Sequence, residues 1–143
     1  MGSRDHSWTG YAVAAAMVLA GCASPVERPA STPDSSQKAV SSLVESAHAD
    51  AAAGRLANAT ASMERAIRLA PRNPRLWQEL ARLRLQQGEF AQAEQVALRS
   101  NSLTRGDASL RFENWNIIAQ SREARGDAAG ASSARALAKR IEY

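Results

Sequence analysis

A spacing of 34 residues runs through the chain from about residue 40 onward, and it restricts the fold more than any other feature of the 143-residue sequence. Laying residues 40–73 over 74–107 puts Leu43, Ala47, Gly54, Leu56, Ala59, Met63, Ala66 and Leu69 in register with Trp77, Ala81, Gly88, Phe90, Ala93, Ala97, Ser100 and Leu103. Apolar or small residues thus recur where two antiparallel helices must touch, and a glycine recurs at the turn between them. A third unit, 112–143, follows once four residues are inserted, with Trp115, Ile118, Ala119, Gly126, Ala131, Ala138 and Ile141 in equivalent places. Four residues are about one helical turn, so the insertion lengthens a helix without rotating its apolar face away from the core. A unit this short cannot bury its apolar face alone, and repetition at this period implies stacking of neighbours into a short solenoid.

Local chemistry agrees with helices. Hydrophobic residues make up 45% of the chain but aromatics only 5%, with alanine supplying much of the difference, so the core must come from close approach of small side chains. Alanine is also the strongest helix former. Asp34 with Gln37 three residues on reads as a capping box. Asn73-Pro74 supplies an N-cap followed by proline at the first helical position, and Gly106-Asp107 and Gly126-Asp127 each end one helix and cap the next. The expected fold is all-α, with six helices near 35–53, 56–69, 74–87, 90–103, 108–125 and 128–141 forming three helix-turn-helix repeats in a domain of residues 35–143. Arg135 and Lys139 stand where the first repeat has Met63 and Ile67. The last helix is therefore expected to present a charged outer face, closing the array rather than extending it.

The N-terminus is different in kind. Arg4 and His6 open a short polar stretch, followed by apolar Tyr11–Ala20, which has the length of a signal-peptide core and is too short to span a bilayer comfortably. It ends in Leu19-Ala20-Gly21-Cys22, which resembles the bacterial lipobox. That resemblance implies a signal peptide over 1–21 and acylation of Cys22, palmitate included, as the first residue of the mature protein. It implies two or three acyl chains, and these anchor firmly where one binds only marginally. Ala23 follows the cysteine where an aspartate would resemble an inner-membrane retention signal, so the resemblance points to the outer membrane. Residues 22–34, with Pro25, Pro29, Pro33, Ser24, Ser31 and Thr32, have the composition of an extended tether. Its reach is on the order of 35 Å. A single cysteine excludes an intramolecular disulfide.

Charge and side-chain chemistry narrow the function. The net charge is +4, but Lys and Arg are interleaved with Asp and Glu and no aromatic-interleaved basic run occurs, which argues against nucleic acid as a partner. His48 is the only histidine outside the expected signal peptide, so acid–base chemistry lacks its usual residue and no Cys/His metal set exists. Ser35, Ser36, Ser41 and Ser42 lack a base and an orienting acid, and Gly54, Gly88 and Gly126 serve as turns rather than a phosphate cradle. The chain is expected to be no enzyme and to need no cofactor.

What remains is recognition by a surface. Trp77-x-x-Leu80-Ala81, Gly88, Ala93 and the Ala66 to Pro71 ending resemble tetratricopeptide repeats. Arg84 and Arg122 depart from that family's tyrosine-like position, Arg105 replaces the closing proline of the second repeat, and the third repeat stops short, which implies looser packing of repeats two and three. The resemblance assigns the first helix of each pair to a concave groove. The residues so assigned are Ser41, Val44, His48, Ala51 and Ala52, then Arg75, Gln78, Arg82, Leu85 and Gln86, then Glu113, Asn116, Gln120, Glu123 and Ala124. Of these, His48, Arg75, Gln78, Arg82, Gln86, Asn116 and Gln120 are the candidate protein-binding residues, since guanidinium and amide groups suit carboxylates and peptide backbone. Trp77 and Trp115 share one repeat position and are assigned to packing.

The whole layout, lipobox, Pro/Ser-rich tether and repeat domain, resembles the LpoP-type activators of bifunctional, class A penicillin-binding proteins. That implies an adaptor lipid-anchored in the outer membrane and facing the periplasm, which binds such a synthase and stimulates peptidoglycan synthesis. A pilus or secretin assembly lipoprotein is an alternative layout. A cell-wall enzyme subunit is a third, against which stands the lack of a paired-carboxylate or nucleophile constellation.

Overall fold

The computed structural model describes residues 33–141. These form α1 (Pro33–Ala52), α2 (Leu56–Leu69), α3 (Pro74–Gln86), α4 (Phe90–Leu103), α5 (Ala108–Ala124) and α6 (Ala128–Lys139). The described part is all-helical, as the repeat pattern requires. The expected signal peptide 1–21, the acylation site Cys22 and the tether up to residue 32 lie outside the described residues. Successive helices pack on one another as three antiparallel hairpins, and α3 also touches α5.

Turn and cap chemistry accounts for the boundaries. Asn73 accepts a bond from the Arg75 backbone N–H at 3.1 Å with Pro74 at the first helical position. Asp107 accepts from the Leu110 N–H at 2.9 Å, and Asp127 from the Gly130 N–H at 2.8 Å. Between α3 and α4, Gly88 has φ +75°, a left-handed conformation that any side chain would strain. It lets the Glu89 N–H reach back to the Arg84 carbonyl at 2.9 Å. The one cap that differs is the first. α1 already includes Pro33, because proline suits a first turn whose N–H has no partner, and Asp34 sits inside that turn paired with Lys38 at 2.8 Å instead of forming a capping box with Gln37.

Burial follows the repeat register. Ala47, Ala81 and Ala119 are 0%, 0% and 2% exposed, and Ala59, Ala93 and Ala131 are all 0%. With a change of one methylene felt at such contacts, these alanines let helix backbones approach closely, and the larger side chains fill the space left beside them. One cluster joins Met63, Ile67, Leu76, Leu80 and Leu83 with Val40, Leu43, Val44 and Trp77 around it. The second joins Ile117 and Ile118 with Ala81, Ala97, Ala119 and Ala134, and Trp115 packs on it. Val96 touches both clusters and so makes the core continuous. The four-residue insertion is visible in α5, 17 residues against 13 in α3.

Two junctions between repeats differ in polarity. Where the first has Ala66 and Leu76, the second has Ser100 and Asn114, both 0% exposed. Asn114 Nδ2 donates to Ser100 Oγ at 2.8 Å and to Asn101 Oδ1 at 3.0 Å, and Ser100 Oγ donates to the Pro74 carbonyl at 2.8 Å. Asn114→Ala is expected to cost about 2 kcal/mol, since it leaves buried acceptors without a donor. The double change Ser100→Ala/Asn114→Leu, which installs the apolar pair of the first junction, is expected to cost less than the single one. Urea denaturation of both variants checks the order.

Arg84 and Arg122 correct an expectation. In place of a loosened aromatic contact, each arginine ties helices together. Arg84 bonds Glu64 of α2 at 2.7 Å and pairs with Glu89. Arg122 places Nε 2.9 Å and Nη2 2.8 Å from Glu94 Oε1 of α4, and its Nη1 donates to the Gly130 carbonyl of α6 at 3.2 Å. Glu94 is 7% exposed and also takes Arg125, so its charge is fully matched. At the end of the array Arg135 and Lys139 are exposed where Met63 and Ile67 are buried, and Arg135 pairs with Glu123.

Candidate functional site

The first helices of the second and third hairpins, α3 and α5, enclose a depression of about 390 Å³ lined by Arg82, Leu85, Gln86, Glu113, Asn116, Ile117 and Gln120. Four of the seven candidate binding residues, Arg82, Gln86, Asn116 and Gln120, are thereby brought together. Helical spacing is the cause. Arg82 and Gln86 lie four residues apart on α3, and Asn116 and Gln120 lie four apart on α5, so each pair projects from one face. Leu85 and Ile117 supply an apolar floor, while the amides can each donate and accept. An extended peptide backbone with one small apolar side chain matches that lining.

The other three candidates fall elsewhere. Gln78 is 4% exposed and donates Nε2 to the Leu110 carbonyl at 3.3 Å, so it is a clasp between α3 and α5 and not part of the groove surface. A face assigned by repeat position cannot foresee that the longer α5 would bring a backbone carbonyl over it. Arg75 is highly exposed at the start of α3 and pairs with Asp107, the N-cap of α5, at 2.8 Å. His48 on α1 lies outside the depression, its Nε2 3.7 Å from Glu79 Oε2.

Charges cross the repeats in a relay of alternating sign. Glu79 Oε1 is 3.4 Å from Arg82 Nη1, and Arg82 Nη2 in turn pairs with Glu113 of α5. Arg82 is thus already matched inside the chain. Its side chain is 43% exposed, and an ion pair so exposed is worth about 0–1 kcal/mol, so an incoming carboxylate can displace Glu113 at little cost. Glu79 and Ile117 were not among the candidates. Glu79 carries no periodic signal, but Ile117 could have been found one helical turn after Glu113 on the same face.

A second depression of about 490 Å³ lies where α1 and α3 begin and α2 ends, with Val40, Val44, Leu69 and Leu76 among its lining. Leu69 is 50% exposed there. Among the described residues no group of three or more His, Cys, Asp or Glu side chains is placed to hold a metal ion. No described helix is long and apolar enough to cross a membrane.

Comparison with known proteins agrees with this architecture. The tetratricopeptide repeat family matches residues 50–110. Among solved structures, the globular C-terminal domain of P. aeruginosa LpoP is similar at 47% sequence identity and a TM-score of 0.68, over 70% of this chain and 94% of that one. No curated protein sequence matches the chain.

Proposed function

The chain belongs to the LpoP family of tetratricopeptide repeat proteins, and from that premise we propose that it is a protein-binding adaptor, anchored in the outer membrane through Cys22, that engages a class A penicillin-binding protein in the periplasm and stimulates peptidoglycan synthesis. The observation that carries the reading is the 47% identity extending over 94% of the solved LpoP domain and 70% of this chain. Residues 1–21 are read as the export signal and 22–34 as the lipidated cysteine and tether, whose last two residues belong to the first turn of α1. The polar depression between α3 and α5 is the proposed contact with the partner, through Gln86, Asn116 and Gln120, with Arg82 available for a carboxylate.

The test is a pull-down and a glycan-polymerisation assay with the unlipidated repeat domain and a purified class A synthase from the same cell. Wild type is expected to bind and to accelerate polymerisation. Gln86→Ala/Asn116→Ala/Gln120→Ala is expected to weaken binding on the order of tenfold or more, since three interfacial hydrogen bonds contribute about 0.5–1.5 kcal/mol each. Arg75→Ala/Arg82→Ala is expected to weaken it less, because both guanidiniums begin with intramolecular partners. Circular dichroism controls for folding. A wild-type domain that neither binds nor stimulates would defeat the synthase reading, and binding that ignores the amide triple would defeat the groove.

A further inference from the structure

The two ends of the repeat unit differ in charge. Because the hairpins are antiparallel, α1, α3 and α5 begin at the end where α2, α4 and α6 finish. The pair Arg75–Asp107 and the depression shared by Ser36, Leu69 and Asn73 place these termini together. Counting the terminal turns and connecting loops among the described residues, this end carries seven cations and two carboxylates, whereas the opposite end carries four of each. At the opposite end every cation has a carboxylate: Arg55 with Asp50, Arg84 with Glu64 and Glu89, Arg122 and Arg125 with Glu94. At the first end the two carboxylates, Asp34 and Asp107, are each held by a nearby cation, Lys38 and Arg75. Lys38 stands in the next turn of α1 and is not one of the seven, so six of them remain, Arg68, Arg72, Arg105, Arg111, Lys139 and Arg140, all exposed and none within salt-bridge distance of a carboxylate among the described residues.

We infer that this end of the repeat unit is a docking face for the anionic phospholipid surface of a bilayer. Arg68 and Lys139 sit in the last turns of α2 and α6, where the helix dipole favours a cation, but Arg72 and Arg105 lie in the connecting loops and Arg111 in the first turn of α5, where the dipole disfavours one. Basic groups gathered near an anionic bilayer are each attracted to it, and the attraction reaches about one Debye length. Chain geometry selects a membrane over other anions. α1 begins at this same end, at Pro33, only eleven residues after Cys22. A tether that short reaches on the order of 35 Å, so a lipid anchor at Cys22 would hold this end close to the bilayer. That step rests on the anchored reading given above. Docking in this way would leave the α3/α5 depression on the side of the unit, accessible from the periplasm.

The repeat unit, Ser31–Tyr143, is compact by itself, and the relative's counterpart was solved as little more than the same segment. The unlipidated unit is therefore suitable for co-sedimentation with phosphatidylglycerol/phosphatidylethanolamine vesicles and with pure phosphatidylcholine vesicles. Binding is expected to the anionic vesicles alone at low ionic strength, and to be released by 0.5 M salt. Arg68→Gln/Arg72→Gln/Arg105→Gln is expected to lower partitioning at least tenfold. Ala57→Glu/Gln92→Glu/Ala128→Glu makes the same change of net charge with exposed residues of the opposite end and is expected to stay within about threefold of wild type. Equal loss in the two triple variants would show an effect of net charge rather than of this face and would overturn the inference. So would equal binding to neutral vesicles, or binding to isolated peptidoglycan sacculi with none to anionic vesicles. Because the lipid-free unit is used, failure here leaves the synthase assay untouched.

Discussion

Replacing Trp77 with alanine is expected to cost the repeat domain about 3 kcal/mol, toward the lower end for truncation of a large aromatic because the ring is half-buried. The indole packs on the first core cluster at the joint between repeats one and two. Its Nε1 donates to the Pro71 carbonyl at 2.9 Å, fixing the turn that precedes its own helix, and Arg99 of α4 lies 5.7 Å from the ring centroid. Removal therefore opens a cavity, orphans a carbonyl and strips a cation–π partner from a neighbouring helix, all at one joint. For a domain of roughly 100 residues, such a loss corresponds to a fall in melting temperature of about 10–20 °C. Trp77→Phe keeps most of the packing and loses the indole bond, so a loss of about 1 kcal/mol is expected. Thermal melts followed by circular dichroism test both. An alanine variant that melts within a few degrees of wild type would show that the ring is not structural, and would return it to consideration as a binding anchor.

Cys22→Ala is expected to have the second large effect, an all-or-none one. Without the thiol no thioether to a diacylglycerol can form, and the chains that would hold the protein in the bilayer are absent. Each buried methylene contributes about 0.8 kcal/mol, so losing even one long acyl chain removes the difference between firm and marginal attachment. Growth with labelled palmitate should give a labelled wild-type band and an unlabelled variant. Fractionation after a high-salt wash should move the variant out of the outer-membrane fraction. The wash matters because the unpaired cations at the α1 end would hold an unlipidated protein weakly at low ionic strength. Palmitate labelling or firm outer-membrane retention of the alanine variant would contradict the acylation reading.

Much of the fold could be read in advance. Each helix from Leu56 onward begins at the residue expected from its cap or turn glycine and ends within two residues of the expected position. The reason is local: Asn73, Asp107 and Asp127 satisfy backbone N–H groups within three residues of themselves, so their role needs no knowledge of the rest of the chain. The alanine register was equally legible, because close packing at every 34th or 38th residue leaves room for nothing larger. The groove was legible in part. Arg82, Gln86, Asn116 and Gln120 meet because helical spacing places them on one face of each helix, and that face is set by the repeat.

Partnership between residues distant in sequence was not legible. Gln78 shares the period of the groove residues, yet its amide is buried under α5 because a helix one turn longer brings the Leu110 carbonyl over it. Arg84 and Arg122 looked like defects at an aromatic position until Glu64 and Glu94, 20 and 28 residues earlier, were seen to meet them. The even mixture of Lys, Arg, Asp and Glu along the chain hid a segregation by end that exists only once antiparallel hairpins fold that string back on itself. Short-range geometry and periodicity act through the backbone and so are written along the chain. Hydrogen bonds and ion pairs between repeats depend on side-chain positions to within an ångström, and only packing of the helices sets those.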